Sequence, residues 1–173
     1  MNTVNRIYII FVFFVMLWCG GLFAAPLLKH FGFTTSSDEL YSFFSHVCHQ
    51  DHARSFHLGN EHFAVCIRCT AIYFSFLAGL FLIPLFRRLE QVSVPSPKLL
   101  LLILLPMVID VVFHDSGIHA STTVSRMITG MLLGGALPWW VLPLSIEAWS
   151  QLISRKKIHS QESGVYSYVR KTQ

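Results

Sequence analysis

Four long apolar stretches, separated by polar segments, dominate the chain. They cover residues 7–28, 64–86, 99–113 and 127–149. A hydrocarbon core about 30 Å thick is crossed by about 20 helical residues, so such stretches predict transmembrane helices. We therefore expect an all-α integral membrane bundle of four transmembrane helices within residues 1–150. The polar, basic segment 151–173 is predicted to be a mobile cytoplasmic tail.

Charged residues and prolines interrupt these stretches. Arg87 and Arg88 end the second one. The third is short for a span and contains Asp110 near its end. In the fourth, Pro138 and Pro143 predict kinks, because proline lacks the N–H that continues a helix.

The first stretch has only some features of a signal peptide. Signal peptides have an apolar core of about 7 to 15 residues and a small-x-small cleavage site. This stretch is longer, and Phe23 occupies a position that needs a small residue for cleavage after Ala25. Trp18 before Cys19 is too bulky for lipoprotein cleavage. We therefore expect an uncleaved helix.

A short amphipathic helix is predicted in the loop between the first two spans. Ser36 and Glu39 have the spacing of a capping box, which opens a helix. Apolar residues then recur at helical spacing and would face the membrane interface or the bundle: Leu40, Phe43, Phe44 and Val47. If the helix continues further, Cys48 and His52 share a flank. If it ends there, His49 is free to turn inward.

The composition agrees with a membrane protein and argues against nucleic-acid binding. Of the 173 residues, 53% are hydrophobic and only 13% are charged, whereas soluble domains carry about 25% charged residues. The formal net charge is +4, and the basic residues lie beside apolar stretches without an aromatic-interleaved stripe. The lipid bilayer is therefore the expected partner, with anionic head groups meeting the basic residues.

The uneven distribution of Lys and Arg predicts the orientation. Nine of them flank one side of the four spans and four flank the other. Because positive charge is retained in the cytoplasm, both termini are predicted to be cytoplasmic. Eight of the nine histidines and three of the four cysteines then lie on the outer face.

These cysteines and histidines form the main candidate site. Cys66 and Cys69 open the second predicted helix three residues apart, where the helix dipole favours thiolate. Cys48 and His49 lie upstream, within reach of a loop that folds back. Three cysteines and a histidine are a standard tetrahedral set, so we predict that these four residues bind zinc or a similar divalent metal. A disulfide is the alternative, because outer compartments are oxidising. Cys19, in mid-helix, is expected to be a buried apolar side chain.

The same residues resemble the signature of a family of small bacterial and archaeal membrane proteins, domain of unknown function 2085. Three segments carry the resemblance: Cys48-His49-Gln50, Arg54-Ser55-Phe56 and Cys66-x-Arg68-Cys69-Thr70-x-Ile72-Tyr73. A weaker similarity extends to Asp110, Arg126, Gly130 and Gly134. Two positions depart from the family pattern. Ala71 replaces a glycine, which weakens close packing, and His52 replaces a proline, which adds a potential ligand. The resemblance implies a shared site in a prokaryotic cytoplasmic membrane, and it implies no activity.

Further candidate site residues surround this cluster: His52, Arg54, Arg68, Asp110, His114, His119 and Arg126. Arg54 and Arg68 suit a phosphate or another anion, although snorkelling or pairing with an acidic neighbour is the commoner role near a membrane. Asp110 needs a partner or water inside a span, and we predict an ion pair with Arg126. The small-residue face of Gly130 and Gly134 predicts close helix packing, within the bundle or in a homodimer.

Three functional classes follow from these observations. The first is a metal protein whose ion is structural or activates water for hydrolysis. The second is a thiol–disulfide oxidoreductase, by analogy of layout with four-helix quinone reductases that carry an outer Cys-x-x-Cys. Those enzymes relay electrons through a second cysteine pair, which the loop after the third span lacks here. The third is a non-catalytic membrane assembly factor. The sequence assigns no substrate and no soluble partner.

Overall fold

Four helices of the computed structural model are long and apolar enough to cross a membrane, as predicted. They comprise Val4–His30, Ile67–Phe86, Pro97–Asp115 and Thr123–Leu152. The structure describes residues 3–86, 88–89, 93–118 and 120–152. Arg87, His119 and the predicted tail beyond residue 152 lie outside the described residues.

The described elements alternate long helices with short connecting structure. Their order is α1 (Thr3–His30), α2 (Thr34–Ser45), a 3-10 turn (His52–Arg54), β1 (Ser55–Leu58), β2 (Glu61–Cys66), α3 (Ile67–Phe86), α4 (Pro97–Asp115) and α5 (Thr123–Ala136). After a turn at Leu137, residues 138–152 are helical again. The break falls at one of the two predicted prolines, because Pro138 has no N–H to continue the hydrogen-bond ladder of α5. The helix continues without interruption through Pro143.

The amphipathic helix α2 is present, but the predicted capping box is wrong. Gly32 ends α1 with φ +85°, and the N–H of Phe33 donates to the carbonyl of Leu28 at 2.9 Å, as in a Schellman motif. The chain then enters α2 at once, so Ser36 lies inside the helix rather than at its cap. The hydroxyl of buried Ser37 instead donates to the carbonyl of Ala25 at 2.8 Å and ties α2 to α1.

A two-stranded hairpin precedes α3, which the sequence pattern did not predict. Strands β1 and β2 pair antiparallel, with Leu58 opposite Glu61. Gly59 has φ +64° at the first position of the two-residue turn, where glycine has no steric cost. The Gly59-Asn60 pair was therefore a sequence signal for a hairpin turn. The second span consequently begins at Ile67 and not at residue 64.

The glycine face of α5 packs against α3 of the same chain. A Cβ added at Gly130 would lie 2.8 Å from the carbonyl oxygen of Arg68. One added at Gly134 would overlap the backbone of Ile72 and the hydroxyl of Ser75. Of the two alternatives for this face, close packing within the bundle is the one that the structure contains. This close approach places the first turn of α3 beside Gly130, which lies two turns into α5.

The remaining helices complete the bundle around this pair. Helix α4 packs against α5, and none of its residues is buried within the chain, so its leucine-rich surface is left for lipid. One apolar cluster lies near α2 and the hairpin: Leu22, Ala25, Phe44, Ala64 and Val65. A second cluster lies toward the opposite end: Val12, Leu80, Ile83 and Leu142. We call the end that carries α2 and the hairpin the loop end.

Candidate metal-thiolate site

Three cysteines meet at the loop end, each from a different segment. Cys48 lies in the chain after α2, Cys66 is the last residue of β2, and Cys69 is in the first turn of α3. Their sulfur atoms all lie within 4.8 Å of one another, and all three residues are half-buried. The prediction that Cys66 opens the helix is wrong by one residue, because the hairpin extends through it. All four cysteines are free, and Cys19 is buried in α1 as expected.

Gln50 holds the turn that carries Cys48. Its backbone has φ +52°, a left-handed conformation that is uncommon for a residue other than glycine. Its side-chain amide donates to the carbonyl of Tyr41 at 2.7 Å and to that of Ala64 at 2.8 Å. The amide thus joins α2 to β2 and compensates for the backbone strain. Gln50 belongs to the Cys48-His49-Gln50 motif, but the sequence alone did not indicate that its side chain positions this turn.

The surroundings of Cys48 stabilise its thiolate. Hydrogen bonds from the side chains of Cys66 and Cys69 lower the pKa of Cys48 well below its ordinary value, and desolvation by burial opposes them. Backbone hydrogen bonds from Cys66 and Gln50 lower this pKa further, the one from the Cys66 N–H spanning 3.2 Å. A thiolate is the form of cysteine that binds a metal or attacks a disulfide.

An open cavity of about 410 Å³ gives access to the thiols. Its lining residues are mostly polar and include the three clustered cysteines: Ser45, His46, Val47, Cys48, His49, Gln50, Asp51, Arg54, Cys66 and Cys69. Helix α2 ends at Ser45, so of the two alternatives the flank shared by Cys48 and His52 does not form. His49 is exposed on the cavity wall and is not among the ligand atoms that meet within 4.8 Å.

The secondary candidates near the hairpin have other contacts. The Arg54 Nε atom is 2.9 Å from a carboxylate oxygen of Asp51, the acidic neighbour that precedes it on the turn. The ring of His52 lies against that of buried His62, with centroids 3.8 Å apart. His114, at the end of α4, accepts a hydrogen bond from the N–H of Ser121 at 3.2 Å. These contacts lie within the 3-10 turn, between that turn and the hairpin, and within the loop between α4 and α5.

Asp110 forms its ion pair with Arg68, and the predicted pair with Arg126 is wrong. The guanidinium of Arg68 contacts one carboxylate oxygen of Asp110 directly. The hydroxyls of Ser121 and Ser125 also donate to this carboxylate, the former at 2.9 Å. Arg126 reaches Asp110 only through Ser121, to which its Nε donates at 3.1 Å. Because α3 packs against α5, Arg68 lies close to Asp110 and forms the ion pair that was expected for Arg126.

Comparison with known proteins identifies the family. The family described as "Predicted membrane protein (DUF2085)" matches residues 48–140, which include the three clustered cysteines and the Asp110 network. The chain belongs to this family. An uncharacterised protein of Methanocaldococcus jannaschii is 30% identical over 148 residues, covering 83% of this chain and 95% of that protein. An uncharacterised protein of Methanothermobacter thermautotrophicus is 33% identical over 94 residues, covering 53% of this chain and 80% of that protein. No solved structure matches the chain.

Proposed function

We propose that this member of the family is a metal-binding membrane protein in which Cys48, Cys66 and Cys69 hold a zinc-like ion. The observation that carries the proposal is the approach of three sulfur atoms, from three segments, to within 4.8 Å. In a tetrahedral site with zinc–sulfur bonds of about 2.3 Å, sulfurs are about 3.8 Å apart. Shifts of about 1 Å therefore bring the observed cluster to ligand geometry.

The fourth ligand in this proposal is His49 or a water molecule. His49 lies on the wall of the same cavity as the three cysteines. With His49 bound, the ion is structural and ties the turn after α2, the hairpin and α3 together. With water in the fourth position, the ion supplies an acidified water for hydrolysis at the membrane surface.

The proposed site faces the outside of a prokaryotic cytoplasmic membrane, with both chain termini in the cytoplasm. The distribution of Lys and Arg supports this orientation, since nine of the thirteen lie on the side opposite the cysteine cluster. The four apolar spans support insertion in the membrane.

A second candidate function is a membrane thiol–disulfide oxidoreductase, which the stabilised thiolate of Cys48 favours. In that reaction the Cys48 thiolate and a neighbouring thiol form a disulfide. Two electrons and the proton of that thiol pass to an acceptor such as a quinone, which takes its second proton from water. Contact between the thiolate and two further thiols within 4.8 Å suits this chemistry.

Elemental analysis combined with thiol counting on the purified full-length chain tests the proposal. We expect one zinc-like ion per chain and thiols that react only after chelation. Cys66→Ser and Cys69→Ser are expected to lose the ion and the folded yield, whereas the control Cys19→Ser keeps both. Metal-free protein with a reducible disulfide would instead support the oxidoreductase.

The fourth position is tested separately with His49→Ala. If His49 is a ligand, metal affinity falls while the exposed hairpin variant His57→Ala retains the wild-type value. Equal affinities in the two variants would show that water or another residue completes the site.

A further inference from the structure

Helix α2 runs antiparallel along α1 rather than across the membrane surface. Near the start of α2, the hydroxyl of Ser37 donates to the carbonyl of Ala25 at 2.8 Å. Near its end, the rings of Phe44 and Trp18 have centroids 5.2 Å apart, and a Cβ added at Gly21 would lie 3.2 Å from the Phe44 ring. The contacts of α2 therefore move from residue 25 of α1 back to residue 18, toward the middle of that span.

The contact between α1 and α3 indicates how deep this end of α2 lies. The thiol of Cys19, beside Trp18, donates to the carbonyl of Tyr73 in α3 at 3.6 Å. The 20 residues of α3 rise about 30 Å, the thickness of the hydrocarbon core, so the helix begins near the hydrocarbon boundary. Tyr73 is six residues further along, which is about 9 Å inside the hydrocarbon. The C-terminal end of α2 lies at a similar depth, because it packs against Trp18.

The side chains of α2 change in polarity along this gradient of depth. The two charged residues of the helix, Asp38 and Glu39, lie in its first half, near the boundary. Further along, Phe43 is 54% exposed, and Val47, just after the helix, is 47% exposed. Large apolar side chains gain free energy when they leave water, so this surface is suited to contact with lipid.

The polar side chains at the end of α2 have other partners. The Ser45 hydroxyl and the His46 Nδ1 both donate to the carbonyl of Ser42, at 2.7 and 2.9 Å. Ser45 and His46 also line the thiol cavity. One side of this end of α2 is therefore polar and borders the thiol cavity, whereas the side that carries Phe43 is apolar.

An open groove of about 650 Å³ lies between this apolar side of α2 and α1. All of its lining residues are apolar or glycine. Met16 and Leu17 of α1 line one side and are 43% and 62% exposed, while Leu40 and Phe43 of α2 line the other. At Gly20 the groove is empty, because no atom lies within 4 Å of an added Cβ. The groove is therefore continuous with the exposed apolar surface of α1, which is one of the four spans.

We propose that α2 is a re-entrant helix embedded in the leaflet at the loop end, and that the groove between α2 and α1 holds a hydrocarbon chain of a membrane lipid. Continuity with the exposed surface of a span selects this occupant, because lipid chains surround that surface at this depth. The proposal is independent of what the cysteines bind.

Photo-cross-linking of the full-length protein in phosphatidylcholine nanodiscs tests the depth of α2. A benzophenone amino acid is introduced in place of Phe43, and lipid adducts are measured by mass spectrometry of the peptides. The matched positions are Leu101, which is 66% exposed on α4, and His57, which is exposed on the hairpin. We expect adducts at position 43 in a yield similar to that at position 101, and none at position 57. A yield at position 43 no higher than at position 57 would overturn the embedding of α2.

Native mass spectrometry of the full-length chain, released from the same nanodiscs, tests whether the groove is occupied. Gly20→Leu fills the groove, since the space around an added Cβ is open. Ile10→Phe is the control, because it enlarges an exposed residue of α1 outside the groove. We expect the wild type and Ile10→Phe to retain one more phosphatidylcholine per chain than Gly20→Leu does. Equal retention in all three proteins would overturn the occupancy of the groove. If Gly20→Leu fails to fold, Ala24→Leu decides, because Ala24 lines the same groove.

Discussion

Breaking the ion pair between Asp110 and Arg68 should be among the most destabilising single changes in the bundle. Asp110→Asn leaves the guanidinium of Arg68 without its carboxylate, and Arg68→Gln leaves the carboxylate without its cation. Their side chains are 9% and 17% exposed, so water compensates little for either loss. Removing one partner of such a pair costs about 3 to 5 kcal/mol, and we expect values near the lower limit because neither side chain is fully buried.

The double variant Asp110→Asn/Arg68→Gln should be less unstable than the sum of the single changes, since it leaves no unpaired charge. We expect a coupling energy of about 2 kcal/mol, within the range measured for residues in direct contact. The matched cycle between Asp110 and Arg126 should give a distinctly smaller coupling, because these two residues communicate through Ser121.

Unfolding in mixed micelles with increasing dodecyl sulfate, followed by circular dichroism and tryptophan fluorescence, provides the free energies for both cycles. A coupling between Asp110 and Arg68 indistinguishable from zero would refute the assignment of the pair. A larger coupling for Asp110 with Arg126 would show that Arg126, as the sequence predicts, is the partner of Asp110.

Three further predictions follow from the fold and the site. Gly134→Ala should destabilise the bundle by about 1 to 3 kcal/mol through overpacking, whereas Gly20→Ala, with no atom within 4 Å of the added Cβ, should not; equal unfolding midpoints would contradict the packing. In the reduced, metal-free protein, the pKa of Cys48 is lower in the folded state than in the unfolded state, where it is about 8.5. The free energy of unfolding should therefore rise with pH up to about 8.5, and this contribution should be lost as the pH falls through the folded-state pKa. Denaturant unfolding at several pH values measures this dependence. If the free energy of unfolding of Cys48→Ala changes with pH as steeply as that of the wild type, Cys48 is not the cause of the pH dependence. An epitope inserted after Asn60 should bind antibody on intact spheroplasts, and one inserted after Ser93 only after lysis; exposure of both on the same side would reject the four-span topology.

The sequence by itself determined the membrane class, the four spans and the family. Hydrophobicity is a local property, so a stretch such as 7–28 needs no tertiary information to be recognised as a span. The break before Pro138 is local in the same sense, because the missing N–H belongs to that residue. The cysteine motif also identified the three residues that the fold brings together.

Only the tertiary structure decided which side chains meet. The partner of Asp110 depends on the rotation and depth of α3 relative to α5, which the contacts of Gly130 and Gly134 set and which no local pattern encodes. The hairpin likewise shifted Cys66 out of the helix, because cross-strand hydrogen bonds outweighed the apolar run from residue 64. The position of Cys48 relies on Gln50, whose amide bridges two segments that are close in space and distant in sequence.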